Sequence, residues 1–173
     1  GVNIGSETTG LITYMRTDGV QLGGEALASV RGEIGQRFGN RYLPNSPRIY
    51  RTAAANAQEA HEAIRPTDIS RTPQEISRYL DYDQQRLYDL IWKRTIASQM
   101  ESAELDQTAI DSSNASQSVM LRASGRVVVF DGYRSVYQEG RDSTSDAVET
   151  DKQYDSAILP AVDKAERLAT RKV

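Results

Sequence analysis

Tyr14 stands two residues before Arg16 in the segment GLITYMRTD, residues 10–18. A phenol oxygen is one of few nucleophiles on offer, because the 173-residue chain has no cysteine and one histidine. What remains is Ser, Thr, Tyr, Lys and the carboxylates. The segment mixes β-branched and aromatic residues with partial alternation, which predicts a short extended stretch. On it Ile12, Tyr14 and Arg16 share one face, and Thr13, Met15 and Thr17 the other. A guanidinium beside a phenol lowers the phenol's pKa from about 10 and holds an anion next to it. Phosphate suits that anion, since the planar fork takes two of its oxygens and screens the charge that grows as a phenolate attacks. Tyr-x-Arg is a common tripeptide, however. Spacing alone leaves open a tyrosine and an arginine that merely sit on a half-exposed strand.

The lone imidazole, His61, lies in QEAHEAIRP, residues 58–66, beside Glu59, Glu62 and Arg65. On the helix predicted there, His61 and Arg65 fall at i and i+4 on one face. This is a polar, networked position, and a solvent-facing histidine fits it as well as a functional one. HEAIR lacks the second histidine of the zinc pattern HExxH, which excludes a metalloprotease of that type. The GxSxG, phosphate-loop and GxGxxG patterns are absent, so acyl transfer and nucleotide binding have no motif support. Zero cysteines exclude a disulfide framework and the usual thiolate zinc sites.

The elements that must position these residues follow from periodicity and caps. Leu27, Val30, Ile34 and Phe38 predict a helix over 24–38, ended by Gly39-Asn40. Pro44 and Pro47 punctuate a loop over 40–51. Asn56 and Glu59 have capping-box spacing and predict a short helix to Ile64, stopped before Arg65-Pro66. Thr72, Pro73 and Glu75 start another helix, to Leu80. Asp83 caps the longest one, with Leu87, Leu90, Ile91 and Thr95 on one face until about Met100. The pattern then shifts toward period 2, predicting strands over 105–111, 119–123 and 126–130, with a tight turn near Ser124-Gly125 and a continuation over 133–137. Residues 138–156 are rich in Ser, Thr, Asp and Glu and predict a mobile acidic loop, with a last strand over 158–162. The expected class is α+β, with a helical domain over 1–103 and a β-rich segment over 104–173.

Totals bound the partners. At 38% apolar and 26% charged residues, the chain predicts a modest aliphatic core. No run approaches the ~18 apolar residues of a membrane span, and no basic-then-apolar leader opens the chain, so a cytoplasmic protein with no membrane partner is expected. The start at Gly1, without Met, reads as a cut from something longer. A net charge of -3 argues against nucleic acid. Locally the balance reverses: residues 16–65 carry seven arginines and no lysine against five acids, whereas 138–155 carry six acids against Arg141 and Lys152. Arginine is the side chain suited to gripping phosphate, although a plain preference for arginine explains its use equally.

GLITYMRTD over 10–18 together with QEAHEAIRPTD over 58–68 resembles the type IA DNA topoisomerases, most closely their bacterial branch. LYDLIWKRTIASQM over 87–100 and GRVVVFDGY over 125–133 are similar to the family's next two landmarks, in the same order. The resemblance implies that Tyr14 attacks a phosphodiester of single-stranded DNA to give a 5'-phosphotyrosine link, that Arg16 holds the scissile phosphate, and that His61 hydrogen-bonds near it. It places Thr17, Asp18, Glu62 and Arg65 in DNA contact or support. It implies ATP-independent relaxation of negative supercoils. It further implies a mainly helical catalytic-tyrosine domain with a helix-turn-helix-like core, followed by an antiparallel β segment of an arch. Magnesium would serve the full-length enzyme through ligands outside this chain, in an acidic domain ahead of Gly1 that is also its partner; none would be bound by these residues. The fragment alone is expected not to cleave DNA. Topoisomerase III and reverse gyrase stay open as other branches, and a non-enzymatic DNA-binding or interaction module sharing the fold is the alternative. Two departures stand out: Gly19 and Gly23 replace the serines usual in the family, and Gly23 predicts a looser start to the helix that follows.

Overall fold

The computed structural model describes residues 2–17, 19–50, 61–137, 159, 162, 163 and 166. The expected cap at Asn56 and Glu59, the acidic loop over 138–156, Asp18 and most of the strand expected over 158–162 lie outside them. The chain divides into two compact units: Gly1–Ala103 with Asp131–Glu139, and Glu104–Phe130 with Gly140–Val173.

The first unit opens with two short antiparallel strands, β1 (Val2–Ile4) and β2 (Glu7–Thr9). Among the described residues three α-helices follow: α1 (Gly24–Phe38), α2 (Pro73–Ile76) and α3 (Tyr82–Ser98). α1 has the predicted bounds, and it stops at Gly39, whose φ of 87° suits a residue without Cβ. α2 begins at the expected Thr72–Glu75 capping box, but helical hydrogen bonding tightens into a 3₁₀ turn over Ser77–Tyr79. α3 is capped by Asp81 rather than Asp83, because Asp81 and Gln84 close a reciprocal capping box.

The buried face of α3 also differs from expectation. Leu87 and Leu90 are exposed, and Tyr88, Trp92, Thr95 and Ile96 turn inward. The two rings bury apolar area while satisfying their polar ends: Tyr88 Oη donates to Arg71 O at 2.8 Å and Trp92 Nε1 to Ile69 O at 2.9 Å. They join Leu11, Val30, Ile34, Ile69, Ile76, Ile96 and Met100 in one core. The core thus clamps the chain at Leu11, three residues before Tyr14, and at Ile69 just after the His61 segment.

The second unit contains a long antiparallel hairpin, β3 (Glu104–Ser113) with β4 (Met120–Phe130). The expected turn at Ser124-Gly125 does not exist. Gly125 pairs with Thr108 inside a continuous strand. The reversal comes at 114–118, where the Asn114 side chain accepts from Ser118 N at 2.8 Å and Gln117 takes a φ of 55°. Residues 133–137 do not extend a sheet either; Gly132–Ser135 form a 3₁₀ turn in the first unit. No helix among the described residues is long and apolar enough to cross a membrane.

Candidate active site

The segment carrying Tyr14 is not a regular strand. Its first half is fastened antiparallel to the segment after His61. Thr13 N donates to Arg65 O at 2.9 Å, Thr67 N to Leu11 O at 3.0 Å, and Ile12 bridges Pro66. The Thr13 hydroxyl strengthens the seam, donating to Ala63 O and accepting from Arg65 N, each at 3.0 Å. Pairing stops there. Arg16 N donates to Tyr14 O at 2.9 Å, an i+2 to i bond that closes a tight turn around Met15. The strand alternation behind the same-face argument is therefore absent, and a tight turn joins Tyr14 to Arg16 instead. The Tyr14 side chain stands clear of the core, with the residue 78% exposed.

The chain is fastened again past the turn, where Ala63 N donates to Gln21 O at 2.8 Å and Gln21 and Glu62 form a parallel bridge. Residues 61–64 are consequently not helical, against the helix end expected there, and the i, i+4 relation of His61 and Arg65 lapses. What replaces it is a long-range contact: Arg16 Nη1 and His61 Nε2 lie 2.7 Å apart. Arginine has only donors, so Nε2 accepts and the ring proton of the neutral imidazole sits on Nδ1. The close approach depends on Gly19. A Cβ there would meet His61 O at 2.3 Å and Glu62 O at 2.8 Å.

Glu62 and Arg65 hold each other rather than presenting open charges. Arg65 Nε and Nη2 donate to Glu62 Oε1 and Oε2 at 2.8 and 2.9 Å, a bidentate pair, and Arg65 Nη1 reaches Pro66 O. Glu62 Oε1 also accepts from Gly23 N at 2.9 Å. Gly23 caps α1 without a side chain of its own. Gly23 supplies no side-chain cap, as expected, and the Glu62 carboxylate 39 residues away takes up only the N–H of Gly23 itself. Sequence reasoning missed Thr13, Gly19 and Gln21. Only Gly19 carried a signal, as a departure from the pattern expected of the family.

The Arg65 guanidinium beside Glu62 holds its carboxyl below the usual range, helped by the Gly23 N–H and opposed by burial. A lowered folded-state pKa contributes stability that is present above the unfolded value and lost as pH falls through the folded one. Asp68, Glu75 and Asp111 are lowered as well. Glu62→Gln is therefore expected to shrink, without abolishing, the fall in Tm between pH 7 and pH 3. An unchanged fall, measured by thermal melts, would remove Glu62 from the acid-sensitive set.

Thr17 is exposed, and both Arg16 and Thr17 line a cleft of about 940 Å³. Among the described residues no group of three or more His, Cys, Asp or Glu side chains could hold a metal ion. No step below is routed through one.

An exposed phenol at the start of a tight turn, two residues before an arginine that pairs with an imidazole, suits attack on a phosphate ester. The DNA topoisomerase family matches residues 7–173. The chain belongs to that family. Among its relatives, DNA topoisomerase 1 of Rickettsia conorii is 47% identical over 173 residues, covering 100% of this chain and 21% of the relative. DNA topoisomerase 1 of Xylella fastidiosa strain Temecula1 is 47% identical over 144 residues, 83% of this chain and 18% of the relative. The structure of full-length topoisomerase I from Thermotoga maritima matches with a TM-score of 0.67 and 34% identity, over 83% of this chain and 22% of that one. The chain spans about a fifth of the length of these relatives. The resemblance read from the two sequence segments and the α+β class both hold.

Proposed function

We propose that this chain is the part of a type IA DNA topoisomerase that carries the nucleophile, Tyr14. Its phenol oxygen attacks a phosphodiester of single-stranded DNA. The new bond joins tyrosine oxygen to phosphorus, the bond from phosphorus to the 3'-oxygen breaks, and the phenol's proton is balanced by one delivered to that leaving oxygen. One ester replaces another, so the break reseals by the reverse step without ATP, and strand passage in between relaxes negative supercoils. The observation that supports this reading is the exposed Tyr14 at a tight turn that leads into Arg16, whose guanidinium lies 2.7 Å from His61.

Arg16 grips the phosphate and screens the charge of the five-coordinate state, and His61 accepts from Arg16 through Nε2 while its Nδ1–H donates to a phosphate oxygen. Glu62, Arg65 and Thr13 keep the two segments in register, while Thr17, with Asp18, contacts or supports the strand. The acid that protonates the 3'-oxygen, and any magnesium, belong to parts of the protein outside this chain. Positioned general acids supply roughly 100- to 10,000-fold, so the chain alone does not cleave.

The test uses one oligonucleotide labelled at either end and incubated with the full-length protein, then quenched with denaturant. A 3'-end label becomes protein-linked, and a 5'-end label leaves on a fragment with a free 3'-hydroxyl. The opposite partition, or linkage by the 173-residue chain alone, overturns the respective claim.

A further inference from the structure

The cleft beside Arg16 has a composition the proposed chemistry does not use. In a protein with 24 Asp and Glu, none of the described residues lining it is acidic, while Arg16, Arg48 and Arg94 are all among them. Arg48 is matched by Glu101 at 3.0 Å and fixed to Met100 O at 2.8 Å, which makes it part of the wall. Arg94 is exposed and sits over Tyr137, donating to its hydroxyl at 2.6 Å with the guanidinium 5.1 Å from the ring centre. Tyr50 is anchored at its far end, where its hydroxyl donates to Ser98 O at 2.7 Å, and it stays 44% exposed. Tyr133 is another exposed ring in the lining. Flat rings fixed by their own hydroxyls, interleaved with cations and free of carboxylates, fit a polyanion made of flat apolar bases. That is single-stranded nucleic acid, for which aromatic platforms give affinity without sequence preference.

We propose that this cleft seats the first nucleotides of the strand that remains joined to Tyr14. The inference rests on the covalent reading above. It goes further in separating the two products: the cleft begins at Arg16 and Thr17, within the same compact unit as Tyr14, so the nucleotides tethered through the 5'-phosphate reach it. The other fragment, ending in a 3'-hydroxyl, is held elsewhere. Arg94 meets the next phosphate and Tyr50 or Tyr133 stacks a base. Holding the tethered end keeps its phosphorus in place for resealing.

The experiment measures cleavage by the full-length protein on oligonucleotides with one to five nucleotides beyond the break, at fixed upstream length. Wild-type yield is expected to climb over the second and third downstream nucleotides. Tyr50→Leu, which keeps apolar bulk but removes the flat face, is expected to lose roughly 5- to 150-fold in affinity for the longer substrates only. Arg94→Gln should flatten the climb, and Arg94→Lys should restore part of it with greater salt sensitivity. The proposal fails if wild-type yield ignores downstream length, or if the variants lose activity equally at every length together with thermal stability. The latter is the signature of a protein segment filling the cleft. Absence of any covalent product with wild-type protein would instead overturn the reading of Tyr14 itself.

Discussion

Tyr14→Phe in the full-length protein is expected to abolish both relaxation of supercoiled DNA and the protein-linked oligonucleotide. The substitution deletes one oxygen, and that oxygen is the atom that bonds to phosphorus. No neighbouring group replaces it, because Ser and Thr hydroxyls lack the low-pKa leaving ability a phenolate needs for the return step. Removal of a catalytic nucleophile typically costs about a millionfold, which is below detection in a gel assay. Stability should be nearly indifferent, within about 0.5 kcal/mol, since the residue is 78% exposed and lies outside the core. Relaxation that survives in a well-folded Tyr14→Phe protein would leave the non-enzymatic DNA-binding module as the better reading.

Gly19→Ala should do damage of a different kind. Gly19 does not adopt a positive φ, so the backbone conformation itself accepts alanine. The obstacle is room: the added Cβ would lie 2.3 Å from His61 O and 2.8 Å from the His61 carbonyl carbon. Both are backbone atoms, and no side-chain rotation relieves the overlap. The 61–63 segment must back away, stretching the Ala63–Gln21 bond, the Glu62–Gly23 bond and the Arg16–His61 contact together. Overpacking of this sort costs about 1–3 kcal/mol. Displacing an aligned group by about 1 Å costs on the order of 100-fold in rate. Cleavage is therefore expected to fall by that factor with a Tm drop of several degrees. Gly32→Ala is the control. It lies exposed in the middle of α1 with nothing within 4 Å of its added Cβ, and should be neutral or stabilising by about 0.5–1 kcal/mol. Wild-type activity in Gly19→Ala would show that the separation of these segments does not govern the chemistry.

Local signals carried the helices well where caps and periodicity agreed. Gly39 and the stripe Val30–Ile34 placed α1, and Thr72 with Glu75 placed the start of α2. They failed where two readings of one stretch were equally regular. Asp81 and Asp83 both suit a cap, and Gln84 decides between them by completing the box. Leu87 and Leu90 look more apolar than Tyr88 and Trp92, but the rings find carbonyl acceptors inside, so the helix turns that face inward. Gly125 read as a turn because a lone glycine does not say that Thr108 will sit opposite it. At the candidate site, family likeness alone singled out Tyr14, Arg16 and His61, whereas spacing left them ordinary; the structure brings Arg16 and His61 together. The contacts that assemble them span 45 and 39 residues, and no local pattern encodes a partner so distant.

The Thr13–Arg65 and Gln21–Ala63 fastenings bracket Tyr14 on both sides. In the covalent mechanism proposed above, the pull on a tethered 5' end would enter the protein through a single side chain on this short span. Force then divides between two backbone seams, both anchored in the same stretch, 63–65. Under that mechanism, tension would be shared by one small splint before any helix felt it, and the break would be held open without unravelling the fold that closes it.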